Sequence, residues 1–298
     1  MGYGSYTSAD WTKLRKSAKI SESSTADQMF QSEEMEDRFN PRLIEVRESR
    51  DSEEHPHSTP VIIGLDVTGS MGYLAAEIAK NGLNETMMKI YSTNPIKDPQ
   101  MMFAAIGDVQ DRAPLQVTHF ESDIRIAEQL LALWLEYGGY DEPEDYELLW
   151  YFAAKHTKID SFEKRGEKGI LFTIGDADCH EDLNQDMIYQ IFGDKSKSLK
   201  SSEILKMAQE KYEVFHVFIG SEQGMKERAK IFSRILQGRL IRVEKSQVDK
   251  LPEILISTMQ MLRGAKKEEV LNQWTELARP VVSTALENLT FTEGDITF

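Results

Sequence analysis

The sequence is poor in cysteine and in basic residues. It has one cysteine, Cys179, among 298 residues, so no disulfide can form within the chain. That composition is typical of a reducing compartment, and we expect a cytoplasmic location. Lys and Arg number 35 against 50 Asp and Glu, a formal charge of −15. Because nucleic acids and anionic membranes bind clustered positive charge, we expect neither as the main partner.

Long apolar runs and several catalytic motifs are also missing. No segment approaches the roughly 18 consecutive apolar residues of a transmembrane helix. The sequence has no Gly-x-x-x-x-Gly-Lys-Ser/Thr phosphate loop, no His-Glu-x-x-His zinc motif and no Gly-x-Ser-x-Gly nucleophile turn. We therefore predict a protein that is not an enzyme.

What the sequence does contain is enough apolar material for a core, distributed unevenly. Hydrophobic residues make up 40% of the chain, which excludes a wholly disordered protein. Residues 1–58 are polar, and we predict a loosely packed N-terminal extension, leaving open whether it packs on the domain. Residues 59–264 are predicted to form one domain. Residues 265–298 are predicted to be a C-terminal helical tail broken at Pro280.

In the central segment, predicted strands alternate with predicted helices. Residues 61–66 and 169–176 are continuous apolar runs that end in an acid, as expected for strands buried on both faces of a parallel sheet. Further strands are predicted at residues 101–109, 115–120, 214–219 and 239–243, with helices between them. The alternation predicts an α/β fold, a Rossmann-like, doubly wound, mostly parallel sheet with helices on both faces. Such sheets bind ligands beyond the carboxyl ends of the strands, where the strand order reverses.

A cluster of oxygen-bearing side chains follows the first apolar run. Asp66, Thr68 and Ser70 are alternate residues of one segment, so in an extended loop they point to the same side. Asp176, at the end of the second apolar run, is expected to join them. Carboxylate and hydroxyl oxygens are hard ligands that suit Mg²⁺, Mn²⁺ or Ca²⁺. The sequence therefore predicts a divalent cation site, with Mg²⁺ as the favoured ion.

This arrangement resembles the metal-ion-dependent adhesion site (MIDAS) of the von Willebrand factor A domain. The motif of that family is Asp-x-Ser-x-Ser, with a Thr from a second loop and an Asp from a third. Here Thr68 replaces the first Ser and keeps its hydroxyl, and Asp176 matches the third-loop Asp. The second-loop Thr falls at Asp141, after Gly138-Gly139, which is a departure from the pattern.

The resemblance covers about residues 60–264 and implies a von Willebrand factor A fold that acts as a metal-dependent protein-interaction module. It implies the following metal ligands: Asp66, Thr68, Ser70, Asp141 and Asp176. Bacterial intracellular proteins that look like this family often work with a separate AAA+ ATPase. The resemblance therefore also implies an adaptor or scaffold role beside such a partner.

Several alternatives stay open. Asp141 and Glu144 are spaced as in a capping box, so Asp141 either binds metal, caps a helix or does both. Asp178-Cys179-His180 is a second, weaker candidate for metal binding. A haloacid-dehalogenase type, Mg²⁺-dependent phosphohydrolase also places an Asp after its first strand, but its general acid falls at Thr68, which cannot serve that role. The chain could also be a metal-stabilised structural subunit that contacts its partner through residues 1–58.

The negative charge is concentrated in two windows around the motif. Residues 121–147 contain nine acidic residues and one basic residue, and residues 176–186 contain five acidic residues and no Lys or Arg. We therefore predict an acidic rim around the cation site. The partner is then expected to have a basic docking surface, with binding that weakens as salt is added.

Overall fold

A computed structural model describes residues 4–21, 23–69, 71–139 and 143–291. The strands are β1 (Arg47–Ser49), β2 (Thr59–Asp66), β3 (Pro99–Ile106), β4 (Leu115–Val117), β5 (Thr157–Ile159), β6 (Gly169–Gly175), β7 (Asp182–Leu183), β8 (Leu199–Lys200), β9 (Tyr212–Ile219) and β10 (Leu240–Val243). The α-helices are α1 (Ser8–Ser17), α2 (Ala26–Met29), α3 (Gly72–Glu77), α4 (Leu83–Thr93), α5 (Arg125–Leu131), α6 (Tyr146–Lys155), α7 (Asp160–Arg165), α8 (Gln185–Phe192), α9 (Ser201–Gln209), α10 (Glu222–Arg228), α11 (Lys230–Ile235), α12 (Leu251–Leu262), α13 (Lys267–Asn272) and α14 (Ala278–Ala285). Short 3₁₀ helices cover Asp37–Phe39, Pro41–Leu43 and Lys245–Lys250, and a π-helical segment, Ile78–Gly82, joins α3 to α4.

The central sheet within the described residues has six strands in the order β4-β3-β2-β6-β9-β10. All neighbours are parallel except β3 and β4. Numbered along the chain within this sheet, the strands lie in the order 3-2-1-4-5-6, which is the order of a doubly wound fold. The order reverses between β2 and β6, so the crevice for a ligand opens there. The predicted fold class is confirmed.

The two central strands are buried on both faces because helices cover both. Every residue of β2 and of β6 is buried. Val61, Ile63 and Leu65 pack on one face, in the core that also contains side chains of α3, α4 and α12. Ile62, between them, packs on the other face with side chains of α6 and α9. The continuous apolar runs of the sequence follow from this double burial.

The N-terminal segment packs on the domain, and its predicted looseness is wrong. Tyr6, Trp11 and Phe39 are at most 4% exposed and belong to the core on the α3–α4 face. Farther along the segment, Ile44 belongs to the core on the opposite face. Just after Ile44 the segment lies at the edge of the sheet, where the Arg47 guanidinium donates to the carbonyl of Val117 in β4. The segment therefore covers an edge strand that would otherwise offer unpaired backbone groups.

Over residues 265–291 the C-terminal tail forms two helices, and the break between them lies before Pro280. The helix α13 ends at Asn272, and Pro280 lies in the first turn of α14, where its missing N–H costs no helical hydrogen bond. Trp274, between the two helices, is buried and donates its ring N–H to Ser257 Oγ of α12 at 2.8 Å. Among the described residues, no helix is long and apolar enough to cross a membrane.

Candidate metal centre

Asp66 and Asp176 lie at the carboxyl ends of neighbouring strands, at the point where the strand order reverses. Leu65 of β2 is opposite Ile174 of β6, so the parallel register brings Asp66 level with Gly175 and next to Asp176. Two acids separated by 110 positions in the sequence thus meet at one edge of the sheet. This is the place where doubly wound sheets bind ligands.

The Asp66 carboxylate is fully buried and is held by three hydrogen bonds. The backbone N–H and the hydroxyl of Thr68 donate to Oδ1 at 3.0 and 2.6 Å, and the Tyr146 hydroxyl donates to Oδ2 at 2.6 Å. Burial disfavours the charged form and raises the pKa of Asp66 to about 6, against the opposing effect of these hydrogen bonds. The carboxylate is therefore fixed in orientation and short of positive charge, as expected of a side chain that accepts a cation.

Gly175 is required by the close approach of Tyr146 and Asp66. A Cβ atom at position 175 would overlap the Tyr146 hydroxyl and would come within 2.7 Å of Asp66 Oδ2. The hydrogen bond between Tyr146 and Asp66 passes beside this glycine. Any larger residue would displace one of the two partners.

Glu144, which the sequence pattern predicts only as part of a helix cap, is a site residue. The helix α6 begins at Tyr146 with Asp145 at its N-cap position, so the predicted capping box is wrong for Glu144. The Glu144 side chain lies instead beside Thr68 and Asp66, and only 6% of the residue is exposed. Burial, and then the negative charge of Asp66, raise the pKa of Glu144 to about 9. The sequence signal at Glu144 is its spacing from Asp141, and that local pattern by itself favours helix capping.

Asp176 and the residues after it have distinct surroundings. The Asp176 side chain is 14% exposed and lies 3.9 Å from the Arg228 guanidinium. The Asp178 carboxylate accepts the backbone N–H groups of Ile231 and Phe232, near the start of α11. The Cys179 thiol is buried, and burial raises its pKa well above the usual range, so it stays protonated. The geometry therefore gives Asp178 a helix-capping role and gives no support to a transition-metal site at Cys179.

Two of the predicted ligands, Ser70 and Asp141, lie outside the described residues. Among residues 4–21, 23–69, 71–139 and 143–291, no group of three or more His, Cys, Asp or Glu side chains is placed to hold a metal ion. The donor set of Asp66, Thr68 and Glu144 is all oxygen, with two carboxylates and one hydroxyl. That set fits Mg²⁺, which binds proteins through one or two carboxylates and keeps several waters.

The acidic windows of the sequence do not all surround this site. Glu121 pairs with Met101 at the amino end of β3, whereas Asp66 is level with the carboxyl end of that strand. Glu121 is also in an ion pair with Arg125 at 3.1 Å, and Glu147 is fully buried. For these residues the predicted acidic rim is wrong, because positions close in sequence lie at opposite edges of the sheet or inside the core.

Comparison with known proteins finds similar folds. No family model and no curated protein sequence matches the chain. The pilus adhesin SpaC from Lactobacillus rhamnosus GG is similar over 72% of this chain and 31% of its own, at 8% identity and a TM-score of 0.45. Proximal thread matrix protein 1 from the mussel byssus, in a structure with a zinc-occupied MIDAS motif, is similar over 68% of this chain and 48% of its own, at 10% identity and a TM-score of 0.43. A von Willebrand factor type A structure from Catenulispora acidiphila is similar over 68% of this chain and 42% of its own, at 13% identity and a TM-score of 0.38.

These similarities concern the fold alone. The chain spans about a third to a half of the length of the solved structures it matches. It has the doubly wound fold predicted for a von Willebrand factor A-type domain, and structures of that type are among its matches.

Proposed function

We propose that the chain is a metal-dependent protein-interaction module whose cation site lies at the carboxyl edge of the sheet, between β2 and β6. The observation that carries the proposal is the buried Asp66 carboxylate, held by Thr68 and Tyr146 at the reversal of strand order. A carboxylate fixed in this way, with further acids beside it, is stabilised by a bound cation. The proposed ion is Mg²⁺, because every donor in reach is a hard oxygen.

The proposed partner is another protein that docks over the cation site. In this proposal the chain is an adaptor or scaffold of the cytoplasm, and an AAA+ ATPase is the partner class that the family resemblance favours. Exposed acids that follow β6 along the chain, such as Glu181 and, in β7, Asp182, would meet a basic surface on that partner. Binding of this kind is steered by charge and weakens as ionic strength rises.

Metal binding is tested first, on the purified full chain stripped of metal. Titration calorimetry with Mg²⁺ and Mn²⁺ is expected to show one site, and the variant Asp66→Asn is expected to lose it. Asp182→Asn is the matched control, because it removes an exposed acid from the short strand β7, six positions after Asp176. Equal binding by wild type and Asp66→Asn would refute the site.

The interaction role is tested by affinity capture from the native host extract, with and without EDTA. A specific partner is expected with the wild-type chain and Mg²⁺, and it should be absent with EDTA and with Asp66→Ala. Raising the salt concentration is expected to reduce capture. Capture that persists equally in EDTA and with Asp66→Ala would favour a structural subunit that uses another surface.

The phosphohydrolase alternative receives no support from the geometry. At the position of its general acid, the Thr68 hydroxyl donates to Asp66 at 2.6 Å. A threonine hydroxyl does not release a proton near neutral pH. Turnover of a phosphate monoester with Mg²⁺, abolished by Asp66→Asn, would overturn the proposal of an interaction module.

A further inference from the structure

The second loop of the site carries a buried carboxylate oxygen with no hydrogen-bond partner. Glu144 is 6% exposed, and its Oε2 atom is buried and unpartnered. A buried carboxylate oxygen that lacks a partner is unfavourable in its charged form. Such a group requires either a proton or a cation.

Glu144 faces the two residues that begin the candidate metal site. Its strongest charged neighbour is Asp66, and the Thr68 hydroxyl lies within hydrogen-bonding reach of it. Thr68 and Glu144 both border Gly139, where a Cβ atom would come 2.9 Å from Thr68 Cβ and 3.5 Å from Glu144 Oε1. Two carboxylates and one hydroxyl therefore share one small space.

The backbone holds Glu144 in this place. Its N–H donates to the carbonyl of Asp178 at 2.9 Å, and its carbonyl accepts the N–H of Tyr146 at 3.1 Å. The first bond joins the loop before α6 to the loop after β6. Since both loops end on rigid elements, the position of Glu144 relative to Asp66 is fixed.

We propose that Glu144 is a direct ligand of the divalent cation bound at Asp66 and Thr68. The inference rests on the proposed metal site and identifies the carboxylate that its second loop supplies. With Asp66 and Glu144 both bound, the two carboxylates neutralise a dication. The site then offers little positive charge to a partner, so the docking side chain of the partner is neutral or basic rather than acidic.

The test compares metal affinity among variants of the full chain by titration calorimetry with Mg²⁺ and Mn²⁺. Glu144→Gln keeps the shape and removes the charge, and we expect its affinity to fall by about tenfold or more. Glu253→Gln is the matched control, because Glu253 is also a buried glutamate with an unpartnered oxygen but pairs with Lys89 at 3.2 Å. The variant Asp141→Asn is expected to bind Mg²⁺ and Mn²⁺ more tightly than the variant Glu144→Gln does.

The outcomes separate this inference from the metal site itself. Wild-type affinity in Glu144→Gln, with binding lost in Asp66→Asn, would overturn the role of Glu144 and leave the metal site standing. No binding by the wild-type chain would refute the site, and the ligand role of Glu144 with it.

A second measurement separates ligation from a purely structural role. Without metal, we expect Glu144→Gln to unfold at the same temperature as the wild type or at a higher one, because it removes a buried carboxyl group. On adding Mg²⁺, the wild type should gain thermal stability and the variant should gain far less. A lower unfolding temperature with the full metal-induced gain would contradict ligation by Glu144.

Discussion

Replacing Tyr146 by phenylalanine removes one hydroxyl from the candidate metal centre and leaves the ring in place. That hydroxyl donates to Asp66 Oδ2 at 2.6 Å, and both residues are fully buried. The ring packs edge-on against His216, with centroids 4.9 Å apart, and this contact does not involve the hydroxyl. Tyr146→Phe is therefore expected to change the electrostatics of Asp66 more than the packing.

The size of the effect follows from the hydrogen bond. Bonds to charged groups contribute about 1.5–3 kcal/mol. Losing one moves the pKa of Asp66 from about 6 to between about 7 and 8. At pH 7 a proton then competes with the cation for the Asp66 carboxylate, which lowers the affinity of the site for the cation about two- to tenfold. Looser orientation of the carboxylate adds to this, for a total of about tenfold or more.

Titration calorimetry with Mg²⁺ at pH 6, 7 and 8.5 measures this effect. The affinity gap between wild type and Tyr146→Phe should be widest at pH 6 and narrowest at pH 8.5, where the proton no longer competes. Tyr151→Phe is the control, because Tyr151 lies on the same helix and donates to Asp194 at 2.9 Å. Equal affinities at pH 7, or a gap that does not change with pH, would refute the reasoning.

Three further predictions concern stability. Gly175→Ala should abolish metal binding and lower the denaturant concentration at which the protein unfolds, because the new methyl group overlaps the Tyr146 hydroxyl. Gly69→Ala is the control, because its methyl group would lie 3.6 Å from the nearest neighbouring atom. In urea titrations, metal-free protein should lose stability as pH rises from about 4.5 towards 9. The reason is that the pKa of Glu144 is about 9 in the folded state, so this carboxyl group ionises at lower pH in the unfolded chain than in the folded one. Glu144→Gln should remove about 1.4 kcal/mol per pH unit of that slope, and an unchanged slope would contradict the assignment. Trp11→Ala should lower the free energy of unfolding by about 3–5 kcal/mol, because Trp11 is buried. Leu43→Ala is the control, and it should lower the free energy of unfolding by less than about 0.5 kcal/mol, because Leu43 is 61% exposed. Equal losses in the two variants would mean that the N-terminal segment does not pack as described.

Sequence patterns predicted the sheet because its strands carry a local signal. The runs that became β2 and β6 are apolar throughout, since both faces of each strand are covered. The short pairs β1–β5 and β7–β8 have two or three residues per strand, too few for a period to be recognised. The helical region after β9 is divided between α10 and α11 at Ala229. Nothing in the composition there marks the break.

The N-terminal segment shows the limit of composition as a guide. Its overall polarity predicted a loose extension, yet its few aromatic residues decide its placement. Trp11 and Phe39 are buried because they reach a surface formed by distant helices. A sparse set of apolar residues fixes a segment when the rest of the fold supplies the complementary surface.

The candidate metal site likewise has features that the sequence predicts and features that only the tertiary structure shows. The sequence by itself determined the doubly wound fold, the place of Asp66 and Asp176 at strand ends, and a hard-oxygen donor set, because these depend on local pattern and parallel topology. Only the tertiary structure decided that Tyr146 holds Asp66, that Gly175 must stay small, and that Glu144 turns towards Thr68. Asp66 and Tyr146 are 80 positions apart, and contacts between distant loops leave no period in the sequence. Burial then gives those contacts their chemistry, because a carboxylate excluded from water requires a partner that the chain alone does not reveal.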